Sequence, residues 1–169
     1  MPVPVFEALQ RVFKDENEVG GYEAERRAYD DIQAFYAEFA ALLNARPDEI
    51  AFVENATRAW DMAFYGLNLK AGDRVITHAS EYASNYLALL QQSRRLGFEI
   101  DLAPSDASGQ IDVEALDQMI GARKKLTAIT HVTTQGGLVK PASDVGAAAR
   151  QPGALSLPVA SPGPGYYAW

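Results

Sequence analysis

The sequence has no cysteine, which excludes a disulfide framework and any thiolate-bound metal or cluster. Histidine is scarce as well. His78 and His131 stand alone and far apart, so a zinc site would have to be built largely from carboxylates, and no metal is expected. Basic charge is in the minority, with 15 Lys and Arg against 22 Asp and Glu for a formal net charge of -7. A phosphate-backbone partner is therefore excluded as a class, because nonspecific nucleic-acid binding rests on clustered cations and Arg123-Lys124-Lys125 is too short a run. No apolar stretch reaches the ~20 residues of a membrane helix, and the first residues lack the basic and apolar regions of a signal peptide. A soluble, cytoplasmic protein is expected. The chain also lacks G-x-G-x-x-G and the P-loop pattern, which puts a generic nucleotide-binding domain last among the alternatives.

What is present suits one globular α/β domain or a piece of one: 169 residues, 48% of them hydrophobic and 22% charged. From Gly21 to Asn44 the apolar residues Tyr22, Tyr29, Ile32, Phe35, Tyr36, Phe39, Leu42 and Leu43 recur at three and four, which predicts one long amphipathic helix. Ile50 to Val53 reads as a short strand, Thr57 to Leu67 as a helix and Arg74 to Thr77 as a strand. The next helix carries Tyr86, Leu89 and Leu96 and closes at Gly97. Phe98 to Leu102 and Leu126 to Val132 read as strands, and between them Asp112 can cap a helix running to Ile120. Strands alternating with helices imply crossover connections, hence a doubly wound, mainly parallel sheet in three layers.

Ligands of such sheets bind at the carboxyl ends of the strands, so the turns leaving the strands carry the candidate chemistry. Val53-Glu-Asn-Ala-Thr-Arg58 opens a helix whose free N–H groups suit a phosphate, with Thr57 adding a hydroxyl; Asn55 or Thr57 serving only as an N-cap is the alternative. In His78-Ala-Ser-Glu-Tyr-Ala-Ser-Asn85, Tyr82 can stack on a planar ring or simply pack, while Glu81, Ser84 and Asn85 can fix the loop or cap the helix. In Thr130-His-Val-Thr-Thr-Gln-Gly-Gly137, Thr133, Thr134 and Gln135 present donors and acceptors, and the glycine pair permits a tight path. His131 reads as structural.

These loops, in this order, resemble the class V aminotransferases and cysteine desulfurases, the pyridoxal-phosphate-dependent fold type I group, and especially the branch near isopenicillin N epimerase and cysteine desulfurase-like proteins. Gly20-Gly21-Tyr22-Glu23, Glu54-Asn55-Ala56-Thr57, Ser80-Glu81-Tyr82-Ala83-Ser84-Asn85 and Thr130-His131-Val132 carry the resemblance, which spans residues 1–150. It implies a fold like the large domain of those transferases and pyridoxal 5′-phosphate as cofactor. Its phosphate would lie on Asn55, Ala56 and Thr57, its ring under Tyr82, and its polar edge near Thr134 and Gln135. An amino-acid substrate is implied, with transamination, desulfuration, elimination or epimerisation all open. Homodimers with sites at the subunit boundary are implied too.

Two departures accompany the resemblance. The strand beginning near Ala154-Leu155 ends in the family at an aspartate that pairs with the pyridinium nitrogen, where this chain has Val159. The family's covalently attached lysine lies farther on, and Lys14, Lys70, Lys124, Lys125 and Lys140 all read as surface residues of helices or turns. No catalytic residue is therefore assigned, and covalent attachment is not expected. Residues 151–169 hold Pro152, Pro158, Pro162 and Pro164 and no charge, so proline should keep any strand there off a central position. The expectation is a truncated transferase-like domain over 1–150, with 1–20 as an N-terminal segment and 21–150 as part of the large domain. The atypical tail over 151–169 would come from a shifted frame, and the fragment would be inactive. The alternative is a noncatalytic interaction or cofactor-binding half-domain acting through self-association.

Overall fold

In the computed structural model, residues 1–121, 123–134, 136–150 and 152–160 are described. Two compact units divide the chain, Met1–Phe52 and Val53–Trp169. The first is helical: α1 (Val3–Val19), α2 (Gly21–Arg27) and α3 (Tyr29–Leu42), followed by a 3₁₀ turn at Pro47–Glu49. The single helix expected from Gly21 to Asn44 is thus two. Ala28 leaves helical geometry at φ -87°, ψ 4°, yet Ala28 N–H donates to the Ala24 carbonyl at 3.0 Å and Ile32 N–H to that of Ala28 at 2.9 Å. The hydrogen-bond ladder crosses the break, which is why the apolar period continues through it.

Ile50 to Val53 forms no strand. Ile50 is extended, but the segment has no ladder partner among the described residues, and Phe52 instead meets Phe35 edge-on at 5.4 Å within the first unit. An apolar run of strand length becomes a strand only where another strand accepts its hydrogen bonds.

The second unit contains α4 (Ala56–Tyr65), β1 (Arg74–His78), α5 (Ala83–Leu96), β2 (Glu99–Ala103), α6 (Val113–Met119), β3 (Lys124–Thr130), α7 (Ala142–Ala149) and β4 (Leu155–Val159). The sheet is parallel throughout, in the order β2-β1-β3-β4. Alternating side chains divide the core between its two faces. On one face Val75, Leu126 and Ala128 pack with Trp60 and Phe64 of α4 and Ala88 and Leu89 of α5. On the other, Ile76, Ala103 and Ile129 pack with Leu116 of α6 and Val145 of α7. The expected three layers are present.

Local chemistry closes these elements. Asn55 and Asp112 cap α4 and α6, each accepting from a backbone N–H at 2.9 Å. Gly97 ends α5 in the left-handed region at φ 80°, where a side chain would be strained and would also crowd Ala71. Pro158 lies opposite Ile129 in β4, an edge strand of the described sheet, where a missing donor can face away from the ladder. No described helix is long and apolar enough to cross a membrane.

Candidate functional site

From β1 the chain turns through α5 to β2 on one side, and from β3 it turns through α7 to β4 on the other. The windings part between β1 and β3, and a crevice opens outside the carboxyl ends of strands at such a point. A concavity of about 240 Å³ is lined there by Asn55, Ala56, Thr57, Tyr82, Asn85, Thr130, Val132, Thr134 and Val159. Of the residues singled out from sequence, Asn55, Ala56, Thr57, Tyr82 and Thr134 share this wall; Gln135 lies outside the described residues.

Each lining residue has a local reason to be there. The Asn55 side chain accepts from Arg58 N–H at 2.9 Å, so it is an N-cap and also forms wall. The cap occupies one terminal N–H and leaves the opening turn of the ten-residue α4, with Ala56 and Thr57 exposed, directed at the concavity. Tyr82 is the residue before α5 and is 45% exposed. Val132 bridges Val139 after β3, and the turn between them returns through Gly137 at φ 63°. Asn85, Thr130 and Val159 complete the wall without having been singled out as site residues. Thr130 could have been found by period: it follows Leu126 and Ala128 at steps of two, and those residues face α4 and α5.

A partly buried polar cluster adjoins the wall. Glu81 accepts from Tyr82 N–H at 3.0 Å, Asn85 Nδ2 at 2.9 Å and Thr130 N–H at 2.8 Å, and also from the Thr130 hydroxyl. His78 is buried between two serine hydroxyls, Ser80 at 2.7 Å from Nδ1 and Ser105 at 2.9 Å from Nε2. The lysine expectation fails at two positions. Lys140 is 1% exposed, its ammonium donating to the Thr130 carbonyl at 3.0 Å and, more weakly, to that of Ser80 at 3.5 Å. Lys124 is 4% exposed and donates at 2.8 Å to the carbonyl of Ala149, the last residue of α7. A lysine next to a turn carries no sign in the sequence that backbone carbonyls will meet it inside. Capping a helix end with a cation is favourable for Lys124.

Burial lowers the pKa of both lysines, and for Lys140 the nearby Glu81 carboxylate pulls it back up in part. Burial and then the Lys140 charge lower His131; the same two causes lower His78, opposed by Glu81. The two histidines thus favour their neutral forms. Neither lysine lines the 240 Å³ concavity.

The class-V aminotransferase profile matches residues 1–158. A probable cysteine desulfurase of Methanothermobacter thermautotrophicus is 30% identical over 159 residues, 92% of this chain and 40% of the relative. One from Synechocystis is 30% identical over 163 residues, 92% of this chain and 39% of the relative. The chain therefore spans well under half the length of these curated relatives. Among solved structures, DndA from Streptomyces lividans superposes with a TM-score of 0.84 at 24% identity over 95% of this chain and 46% of that one. The cystine C-S lyase C-DES, solved with its product cysteine persulfide, gives 0.82 at 20% identity over 94% of this chain and 44% of that one. At these identities the structural likeness establishes the fold.

Proposed function

The chain belongs to the class-V aminotransferase family, and from that membership we propose that its concavity at the β1/β3 switch point holds pyridoxal 5′-phosphate for chemistry on an amino acid. One observation carries the reading. Residues from three separate turns, chosen for a phosphate, a planar ring and a polar edge, line a single concavity. The donor set fits: a helix opening at Ala56 and Thr57 suits a dianionic phosphate, Tyr82 offers an exposed aromatic face, and Thr134 offers a hydroxyl. When bound, the cofactor supplies an electron sink for carbon-acid chemistry.

The chain's own residues bind and orient. The first turn of α4 fixes the phosphate, Tyr82 limits the ring to one plane, and Val132 and Val159 keep that side of the pocket apolar. The Val159 side chain has no acceptor for a ring nitrogen. No lysine is among the described residues of the wall, so the cofactor would be held here noncovalently. Cysteine is the leading amino-acid candidate, because the relatives are named cysteine desulfurases. The setting is cytoplasmic.

A second reading, a noncatalytic half-domain acting through self-association, is favoured by α1. That helix buries none of its residues and exposes Val5, Phe6, Leu9, Val12 and Phe13. Apolar stripes of this kind recruit partners, and a second copy of the chain is the proposed one.

Equilibrium dialysis of the purified chain against pyridoxal 5′-phosphate tests the first reading. Saturable one-site binding, weakened about tenfold or more by Tyr82→Ala, the loss of roughly 1.4 kcal/mol, is expected. Absence of binding, or binding indifferent to Tyr82, overturns it.

A further inference from the structure

Glu81 does not line the 240 Å³ concavity, yet Tyr82, Asn85 and Thr130, which do, are all hydrogen-bonded to its carboxylate. Two of these belong to the segment leaving β1, and the third is the last residue of β3. Oε1 takes Tyr82 N–H at 3.0 Å, Asn85 Nδ2 at 2.9 Å and the Thr130 hydroxyl, while Oε2 takes Thr130 N–H at 2.8 Å. A carboxylate accepts at both oxygens, and here three donors converge on Oε1 and one on Oε2. The Lys140 ammonium, buried and anchored on the Thr130 carbonyl, is the nearby cation that attracts it.

A tyrosine at the start of a helix with a half-exposed ring has little of its own to hold its backbone in place, and α5 begins with no side-chain cap at Tyr82. The Tyr82 amide is held instead by Glu81 at 3.0 Å and, weakly, by the Thr130 hydroxyl at 3.4 Å. We propose that Glu81 is a positioning residue that fixes the Tyr82 ring plane over the cofactor site by tying the start of α5 to the end of β3. The inference rests on reading the concavity as the pyridoxal 5′-phosphate site. It concerns the ring end of that site alone, because Asn55, Ala56 and Thr57 of the phosphate end make none of the bonds to Glu81 described above.

Replacing Glu81 with glutamine keeps shape and size but turns one acceptor into an NH₂ donor, which then faces either Thr130 N–H or the Tyr82 and Asn85 donors. Glu81→Asp keeps the charge and shortens the reach by one methylene. The whole chain and both variants are compared by three readings: pyridoxal 5′-phosphate affinity, the visible circular dichroism of the bound ligand at saturation, and the inhibition constant of inorganic phosphate competing for the site. Thermal melting shows which variants fold.

The expected result is a pyridoxal 5′-phosphate affinity about tenfold weaker and an altered ring dichroism, with the phosphate constant unchanged within about twofold. That split separates ring positioning from general support of the fold, which would weaken both ligands together. If E81Q does not fold, the same readings on E81D decide. Unchanged affinity and dichroism, or equal weakening of both ligands, overturns the role of Glu81 while leaving the cofactor reading intact. Failure of the unsubstituted chain to bind pyridoxal 5′-phosphate overturns both.

Discussion

The two units solve the problem of burial differently. Between Met1 and Phe52 the helices bury only Ala24 and Ala40, and large apolar side chains such as Phe6, Phe13, Tyr22 and Tyr29 remain exposed. Between Val53 and Ala160 two core clusters fill both faces of a parallel sheet, with Val75, Leu89, Leu116 and Leu126 fully buried. The first unit is joined by contacts close in sequence, the second by pairings between strands that lie far apart in the chain. Amphipathic helices are cheap to form from local sequence, but without a facing layer their apolar stripes stay outside. A parallel sheet demands crossovers and in return covers itself on both sides.

The sharpest way to break this contrast is to truncate one aromatic in each unit. Phe64→Ala, which empties a site 2% exposed beside Trp60 at 4.5 Å, should cost about 3–5 kcal/mol in urea unfolding. Phe6→Ala, at 52% exposure on α1, should stay within about 0.5 kcal/mol. Equal costs would mean that the first unit has a core of its own making.

Acidification gives a second separation, since both histidines belong to the second unit. Burial, reinforced by the Lys140 charge, holds His78 and His131 below their ordinary value of 6.5, with Glu81 opposing this at His78. The unfolded chain therefore takes up protons first as pH falls below 6.5. Their contribution to stability is fully present above that value and is lost as pH drops toward the lowered folded values. Melting temperature should decline from pH 7.5 to 5.5, and His78→Gln with His131→Gln should flatten the slope even if it lowers the plateau. An undiminished slope in the double variant would assign the acid sensitivity to other groups.

The smallest effect is expected where the first unit is held by charge. Arg11 and Asp31 lie 3.4 Å apart at 63% and 77% side-chain exposure, so Asp31→Asn should change stability by less than about 1 kcal/mol. A larger loss on denaturant titration would show that exposed ion pairs substitute for a core there.

Much of the second unit was legible because its signals are local. Asp112 before an apolar period, Gly97 after one, and Arg74 to Thr77 between turns each announce an element without help from distant residues. The helices α1 and α7 were not foreseen. In α7 the period is short and rich in alanine and glycine, so little distinguishes it from a loop until Val145 finds Ile76 and Ile129. Ile50 to Val53 shows the opposite error, a segment with strand composition and no ladder partner among the described residues. At the site, the three turns could be read as candidates, but Thr130 and Val159 become wall only through the pairing of β3 with β4.

By itself the sequence determined the capped and glycine-closed ends of α4, α5 and α6, the alternation that makes the sheet parallel, and which short polar turns leave the strands, since caps, glycines and apolar periods act over a few residues. Only the tertiary structure decided that β1 and β3 would be neighbours, that Glu81 would gather donors from the start of α5 and the end of β3, and that Lys124 and Lys140 would be drawn inside onto backbone carbonyls. Those outcomes depend on partners tens of residues away, and a charged side chain carries no local mark of whether water or a carbonyl oxygen will solvate it.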